Sequence, residues 1–415
     1  MGADGDGDGD RGGDRDATDS PSLFVGLWRG GRGPILLSVS TGWLLAIGIR
    51  ITYPVLLPDM VAEYQLDYAF GGLILSAMWV AYALMQFPGG VLADSIGEGR
   101  ILTLSLAITA FSIVIVMVAP TLGIFLLATV CIGIGTGLYG TTRVTILSDV
   151  YTQYDSTAIS ISQAAGNLGN AVLPVVAGLA GAALGWRLGI GILLPLFLGV
   201  IVGMVAFVPG RTSSRGEAVG QSRLDRISRV ARVIGGRTVL VSGVLLCLLL
   251  FLYQGVTGFL PTYLIEAKGI SSALAAGLFG FFFVAAIVCQ FVSGVIADTY
   301  GTRIAIALFS FLAVPAYLLF PVVAGPVGIA LVLVGLALAL GAIPPTHTYT
   351  IRLIPEEIQG SAYGLVRTGY LGFGALAPPI IGLLLDIGRF ELAFPMLGLV
   401  AMGSGVVALS LYLWH

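Results

Sequence analysis

Gln86–Arg100 reads QFPGGVLADSIGEGR, and Gln290–Arg303 reads QFVSGVIADTYGTR. Gln86 aligns with Gln290, Gly90 with Gly294, Asp94 with Asp298 and Gly97 with Gly301, each pair 204 residues apart. Each stretch closes one apolar run of helix length and opens another. A charged, Gly-rich turn between two membrane-length segments belongs at a membrane surface. The same turn repeated half a chain apart marks a tandem duplication.

Composition agrees. Of 415 residues, 57% are hydrophobic and only 10% charged, whereas a soluble protein carries about 25% charged residues. The chain reads as an integral membrane protein. Its net charge of −2 gives no sign of nucleic-acid binding. Cys131, Cys247 and Cys289 lie inside apolar runs, with neither disulfide nor metal spacing, so no metal and no cofactor are expected.

Working outward from the two turns, twelve segments are long enough to span, since about 20 apolar residues cross the bilayer core as helix. They fall at 35–57, 70–93, 101–120, 122–147, 158–183 and 188–208, then 238–264, 273–297, 304–324, 327–351, 360–385 and 392–414. The fold expected is an all-α membrane protein: twelve transmembrane helices in two pseudo-symmetric six-helix halves. Residues 1–33 form an acidic tail too polar to bury surface, expected to be disordered. Residues 34–208 are the first half, 209–237 an Arg-rich linker, and 238–415 the second half.

Basic residues set the orientation. With both termini in the cytoplasm, inside segments hold Arg11, Arg15, Arg29, Arg32, Arg100, seven linker arginines, Arg303 and Arg352. Outside loops hold only Arg187, Lys268 and Arg389. Both termini are therefore expected inside, and the chain in the cell membrane. Within the linker, Leu224–Ile234 reads as an amphipathic helix on anionic headgroups or as a topogenic charge cluster.

The turn also resembles a family. Gly, three residues, Asp, two residues, Gly and then Arg is similar to the loop signature of the major facilitator superfamily. Here it is Gly90, Asp94, Gly97, Arg100 and, in the second copy, Gly294, Asp298, Gly301, Arg303. The family usually has a basic residue after the Asp, where this chain has Ser95 and Thr299. The resemblance covers the chain from about Pro34 to its end. It implies that helices 1, 4, 7 and 10 line a central path, with 2, 5, 8 and 11 beside it. It further implies that Asp94 faces the start of the eleventh helix near Ser361, and Asp298 the start of the fifth near Ser156. Helix starts favour a carboxylate, and such contacts would hold the inside closed. The run AAGNLGNAVLP at 164–174 resembles the nitrate/nitrite porters. Those place an arginine before the turn in each half, where this chain has the neutral Gln86 and Gln290.

A charge inside a span costs about 2.5–3.5 kcal/mol on insertion scales, so such residues face a cavity or a partner. They are Arg50, Arg143, His347 and Arg367; no Asp or Glu lies deep in a span. The repeat offset pairs Arg143 with His347 and Gln163 with Arg367, and sets Arg50 opposite Tyr253. Tyr53, Gln163, Asn167, Asn170, Tyr253, Gln254 and Tyr349 read as polar lining, or as bridges between helices. Arg50, nearest the middle of its span, is the leading substrate contact; the competing reading pairs it with backbone carbonyls near Pro54. Arg143 and His347 read as gate residues or as snorkelling groups.

An arginine-only interior suits an anion. The chain reads as a secondary transporter working by alternating access, with a small organic anion as substrate and protons as a possible coupling ion. It reads as a monomer in the bilayer. The alternative is a proton-coupled efflux pump for drugs or metabolites, with His347 as the one span residue that changes charge near neutral pH. Neither a catalytic cluster nor a nucleotide-binding loop is present, so it does not read as an enzyme.

Overall fold

The computed structural model describes residues 27–28, 31–212, 223–355 and 358–413. The expected acidic tail lies almost wholly outside them. Among the described residues, eleven helices are long and apolar enough to cross a membrane, and one bent pair makes a twelfth. The first half runs Arg32–Tyr64, the bent pair Tyr68–Leu84 and Gln86–Ile96, then Glu98–Val118, Leu122–Val150, Asp155–Leu184 and Trp186–Phe207. The second runs Arg237–Glu266, Ser272–Tyr300, Thr302–Leu319, Pro326–Arg352, the eleventh span as Gln359–Gly374 and Ala377–Asp386, and Phe390–Leu413. With an even number of spans, the chain enters and leaves on one side of the bundle. We call that the proximal end and the opposite one distal.

Proline placement explains where the two copies differ. The second span bends by 43° between Leu84 and Gln86. Pro88 follows, and its missing N–H leaves the carbonyl one turn back without a helical partner. The eighth span has Val292 in that place and runs unbroken from Ser272 to Tyr300. Pro344 and Pro345 interrupt the tenth span at Ala342 in the same way, and Pro378 and Pro379 the eleventh at Ala375–Leu376. The fifth span carries Pro174 yet stays continuous.

Both turns contain a glycine that no other residue replaces without strain. Gly97 has φ 110° and ψ 141°, and Gly301 has φ 104° and ψ 144°. That is a region open essentially to glycine alone. The repeated Gly in the sequence is thus a repeated backbone corner.

The halves meet closely at the distal end. A Cβ on Gly72 of the second span would lie 2.6 Å from the Pro378 backbone of the eleventh, and one on Gly178 of the fifth 2.6 Å from Ala276 of the eighth. Gly382 abuts the Tyr68 carbonyl. The Asp386 carboxylate, at the end of the eleventh span, accepts the backbone N–H groups of Tyr68 (2.7 Å) and Ala69 (2.8 Å). These are orphan donors at the start of the second span. Ser76 Oγ donates to the Ala375 carbonyl at 2.5 Å.

Two of the three cations at this end secure helix ends within their own half. Arg187 donates to the carbonyls of Val116, Met117 and Ala119 at the close of the third span, and pairs with Glu63 at 2.6 Å. Lys268 donates to Pro321 (2.7 Å) and Val323 (2.8 Å) beyond the ninth span, and burial lowers its pKa. Positive charge at a helix C-terminus is favourable.

At the proximal end the linker is fastened twice. Thr212 donates its N–H to the buried Glu98 (3.0 Å) and its hydroxyl to Asp149 (3.2 Å), and Arg211 reaches the Asp94 carbonyl. Beyond it, the helix Arg223–Ile234 packs Val230, Val233 and Ile234 against Ile354, Ile358, Ala362 and Tyr363. The last turn of the helix thus packs on the start of the eleventh span and the segment before it.

Candidate substrate cavity

A cavity of about 400 Å³ lies between the halves, toward the proximal end. Each helix that reaches it presents one stripe at helical spacing. The first span brings Trp43, Ile47 and Arg50; the second Trp79 and Tyr82; the fifth Gln163 and Asn167; the eleventh Tyr363, Arg367 and Tyr370. Arg143, Tyr253, Gln290 and His347 complete its polar lining. Among the described residues, no Asp or Glu lines it.

Arg50 is only 1% exposed. Its guanidinium lies 3.7 Å from the centre of the Tyr82 ring and 4.6 Å from that of Trp79. Its Nε donates to the Ala46 carbonyl at 3.3 Å, and its Nη1 is buried without a partner. Desolvated cation–π contacts give about 2 kcal/mol or more. A buried ion loses several kcal/mol of hydration. The aromatic box and one carbonyl hold the group in place without saturating it. The carbonyl pairing that the competing reading requires amounts to that single bond.

Arg143 does not snorkel. Its Nη1 donates to Ser162 Oγ (3.0 Å) and its Nη2 to Gln163 Oε1 (3.3 Å), while the guanidinium lies 4.2 Å from the Trp43 ring centre. Arg367 Nη2 donates to the Tyr82 hydroxyl at 3.4 Å, and its Nε has no partner. His347 Nδ1 and the Tyr363 hydroxyl share a hydrogen bond, and the Tyr370 ring stands edge-on 5.3 Å from the imidazole.

Of the nine residues expected at the site, the structure brings seven to the cavity: Arg50, Arg143, Gln163, Asn167, Tyr253, His347 and Arg367. Two are elsewhere. Tyr53 is fully buried inside the first half, its hydroxyl 3.2 Å from Thr129. Gln254 is turned away and donates to the Leu371 carbonyl at 3.3 Å, bridging the seventh and eleventh spans. Tyr349 also stands apart, beneath the Arg303 guanidinium at 5.5 Å. Asn170 lines a separate small void. Sequence reasoning missed the aromatic groups Trp43, Trp79, Tyr82, Tyr363 and Tyr370. The available signal was Trp79 and Tyr82, three apart on a helix beside Arg50.

Among the described residues, neither Asp94 nor Asp298 contacts the helix start expected for it. Asp94 and Asp298 are exposed. The Ser156 N–H that Asp298 was expected to hold is taken by Asp155 at 2.6 Å. The Ser361 side chain lies outside the described residues. Side chains added at Gly90 or Gly294 would meet nothing within 4 Å. Arg100 only folds back to the Ile96 carbonyl, at 3.4 Å. At the proximal turns Gly90 and Gly294 face open space, while the distal ends of the two halves touch.

Two six-span repeats around a polar cavity that opens to one side form the architecture of a transporter. The profile of the Major Facilitator Superfamily matches residues 39–370, and the chain belongs to that family. It is 26% identical to the probable sulfoacetate transporter SauU of Cupriavidus necator, over 86% of this chain and 88% of that one. It is 27% identical to the cis,cis-muconate transport protein of Acinetobacter baylyi, over 85% and 87%. The fosmidomycin resistance protein of Escherichia coli is 24% identical over 89% and 92%. Among solved structures, a bacterial homolog of the human lysosomal transporter Spinster superposes with TM-score 0.74 at 16% identity, covering 92% of this chain and 96% of that one. A POT family transporter superposes with TM-score 0.77 at 14% identity, covering 91% and 96%. The chain is a membrane transporter, not an enzyme.

Proposed function

We propose that the protein is a secondary transporter that carries a small organic anion across the cell membrane by alternating access, with both termini cytoplasmic. The observation that carries this reading is the convergence of Arg50, Arg143 and Arg367 on one cavity whose lining, among the described residues, holds no carboxylate. Guanidinium groups stay charged at such depth and hold carboxylate or phosphate in two-point contacts. The relatives named for sulfoacetate and cis,cis-muconate transport support an anionic substrate. With the termini inside, the open proximal end faces the cytoplasm and the conformation is inward-facing.

Arg50 is the main anion-binding group. It is the most deeply buried of the three and retains a free Nη1. The test is uptake into proteoliposomes over a panel of small carboxylates, with and without a pH gradient. Arg50→Ala is expected to weaken the substrate's apparent affinity about ten- to hundredfold, the loss of one charge-assisted contact. Arg50→Lys is expected to restore only part of it. A transported compound that proves cationic, or unchanged affinity in a folded Arg50→Ala protein, sinks the reading.

One observation favours proton coupling: His347 lines the same cavity and contacts Tyr363. Stimulation of uptake by a pH gradient that disappears in His347→Gln is the expected sign.

A further inference from the structure

We propose that the substrate is a dianion with an acid group at each end of a short chain, held between Arg50 of the first half and Arg367 of the second. This rests on the anion reading above and adds the number and placement of the charges.

The geometry begins with Tyr82, which both guanidinium groups touch. Arg50 lies against its ring face at 3.7 Å, and Arg367 meets its hydroxyl at 3.4 Å. One phenol thus touches a cation of the first repeat and a cation of the second. Each retains an unpartnered nitrogen: Nη1 of Arg50 and Nε of Arg367. Arg143 also keeps an unpartnered Nε, but it differs in that Ser162 and Gln163 already accept from both its terminal nitrogens.

Charge then decides the class of ligand. A singly charged anion can satisfy one guanidinium and leaves the other uncompensated in the same low-dielectric space. Two acid groups give each guanidinium its own charge-assisted bond. Between the two cations the wall is aromatic, formed by Trp79, Tyr82 and Tyr370, which suits a short methylene or vinyl stem. A cavity of about 400 Å³ lies at the small end of ligand sites.

Isosteric pairs that differ by one charge test this: succinate against succinamate, and glutarate against glutaramate. Equilibrium binding to the purified full-length protein is measured for wild type, Arg367→Gln, Arg367→Lys and Arg50→Gln. Gel filtration confirms that each variant folds. The wild type is expected to bind at least one diacid about tenfold or more tightly than its monoamide, the effect of one charge-assisted contact. Arg367→Gln is expected to bring the two members of that pair within about twofold of each other. Arg367→Lys is expected to keep part of the preference, which a merely structural role for the residue would not produce. Arg50→Gln is expected to weaken both members. Equal binding of diacid and monoamide in the wild type, with both lost in Arg50→Gln, overturns the dianion and leaves the anion reading standing. A preference that survives Arg367→Gln unchanged overturns the bridging role. If no member of either pair binds, both readings fall.

Discussion

The two ends of the bundle use the same kinds of residue to opposite effect. At the distal end, Gly72, Gly178 and Gly382 let backbones of opposite halves touch, and Asp386 holds two N–H groups at the start of the second span. At the proximal end, Gly90 and Gly294 face open space, and Asp94 and Asp298 hold no helix start. A glycine with nothing beside it in a membrane helix weakens the helix for no visible return. On the alternating-access proposal, the return lies in the other conformation, where the proximal ends close and need the room; the family turn is then a latch undone, and Asp386 a latch of the same design fastened.

The largest effect is expected from filling the closed end. Gly72→Val places branched carbons into the Pro378 backbone, and overpacking of this kind costs typically about 1–3 kcal/mol. Transport is expected to fall steeply. Ala276→Cys, fully buried at the distal interface, is expected to become reactive to a membrane-impermeant thiol reagent. Unchanged labelling would show that the distal end is not the closed gate. Gly90→Val is the matched control: this conformation is expected to keep its stability while turnover slows. Next comes Asp386→Ala, which removes a capping carboxylate worth about 0.5–2 kcal/mol. The same label is expected to report roughly a two- to thirtyfold rise in distal opening. Asp386→Asn is expected to keep most of the cap, which separates hydrogen bonding from charge. The smallest effect is expected at the undone latch. Asp94→Asn leaves the present contacts intact and shifts the population further toward proximal opening, about 0.3–1 kcal/mol at an exposed helix end. A shift toward proximal closure would reverse the comparison.

The sequence made the duplication legible because two backbone corners, Gly97 and Gly301, demand glycine at the same offset. It also gave the paired positions Arg143 with His347 and Gln163 with Arg367, all four of which line the cavity. A two-fold repeat carries such positions onto one another. Tyr253 and Gln254 cannot both face one cavity, since neighbouring residues on a helix point about 100° apart. Only Tyr253 does. Tyr53 failed for a subtler reason. Three residues from Arg50, it lies about 60° round the helix, enough at this crossing to aim it at Thr129 in its own half. The aromatic box was only faintly legible, in the spacing of Trp79 and Tyr82, because neither carries a formal charge. In an apolar span they look like the rest of the core until Arg50 is seen against them. The gate contacts followed from the turn's family likeness, but a sequence is shared by all conformations and says nothing about which one is populated.

The linker's two anchors have a mechanical consequence. Its beginning belongs to the first half, through Thr212 and Glu98, and its helix belongs to the second, through Val230 and Ile358. Residues 213–222, between these two anchors, lie outside the described residues. Each repeat thus holds its own side of the linker, so a chain cut at 217 is expected to keep both seats and the distal contacts between the halves, and co-purification of two co-expressed pieces checks it.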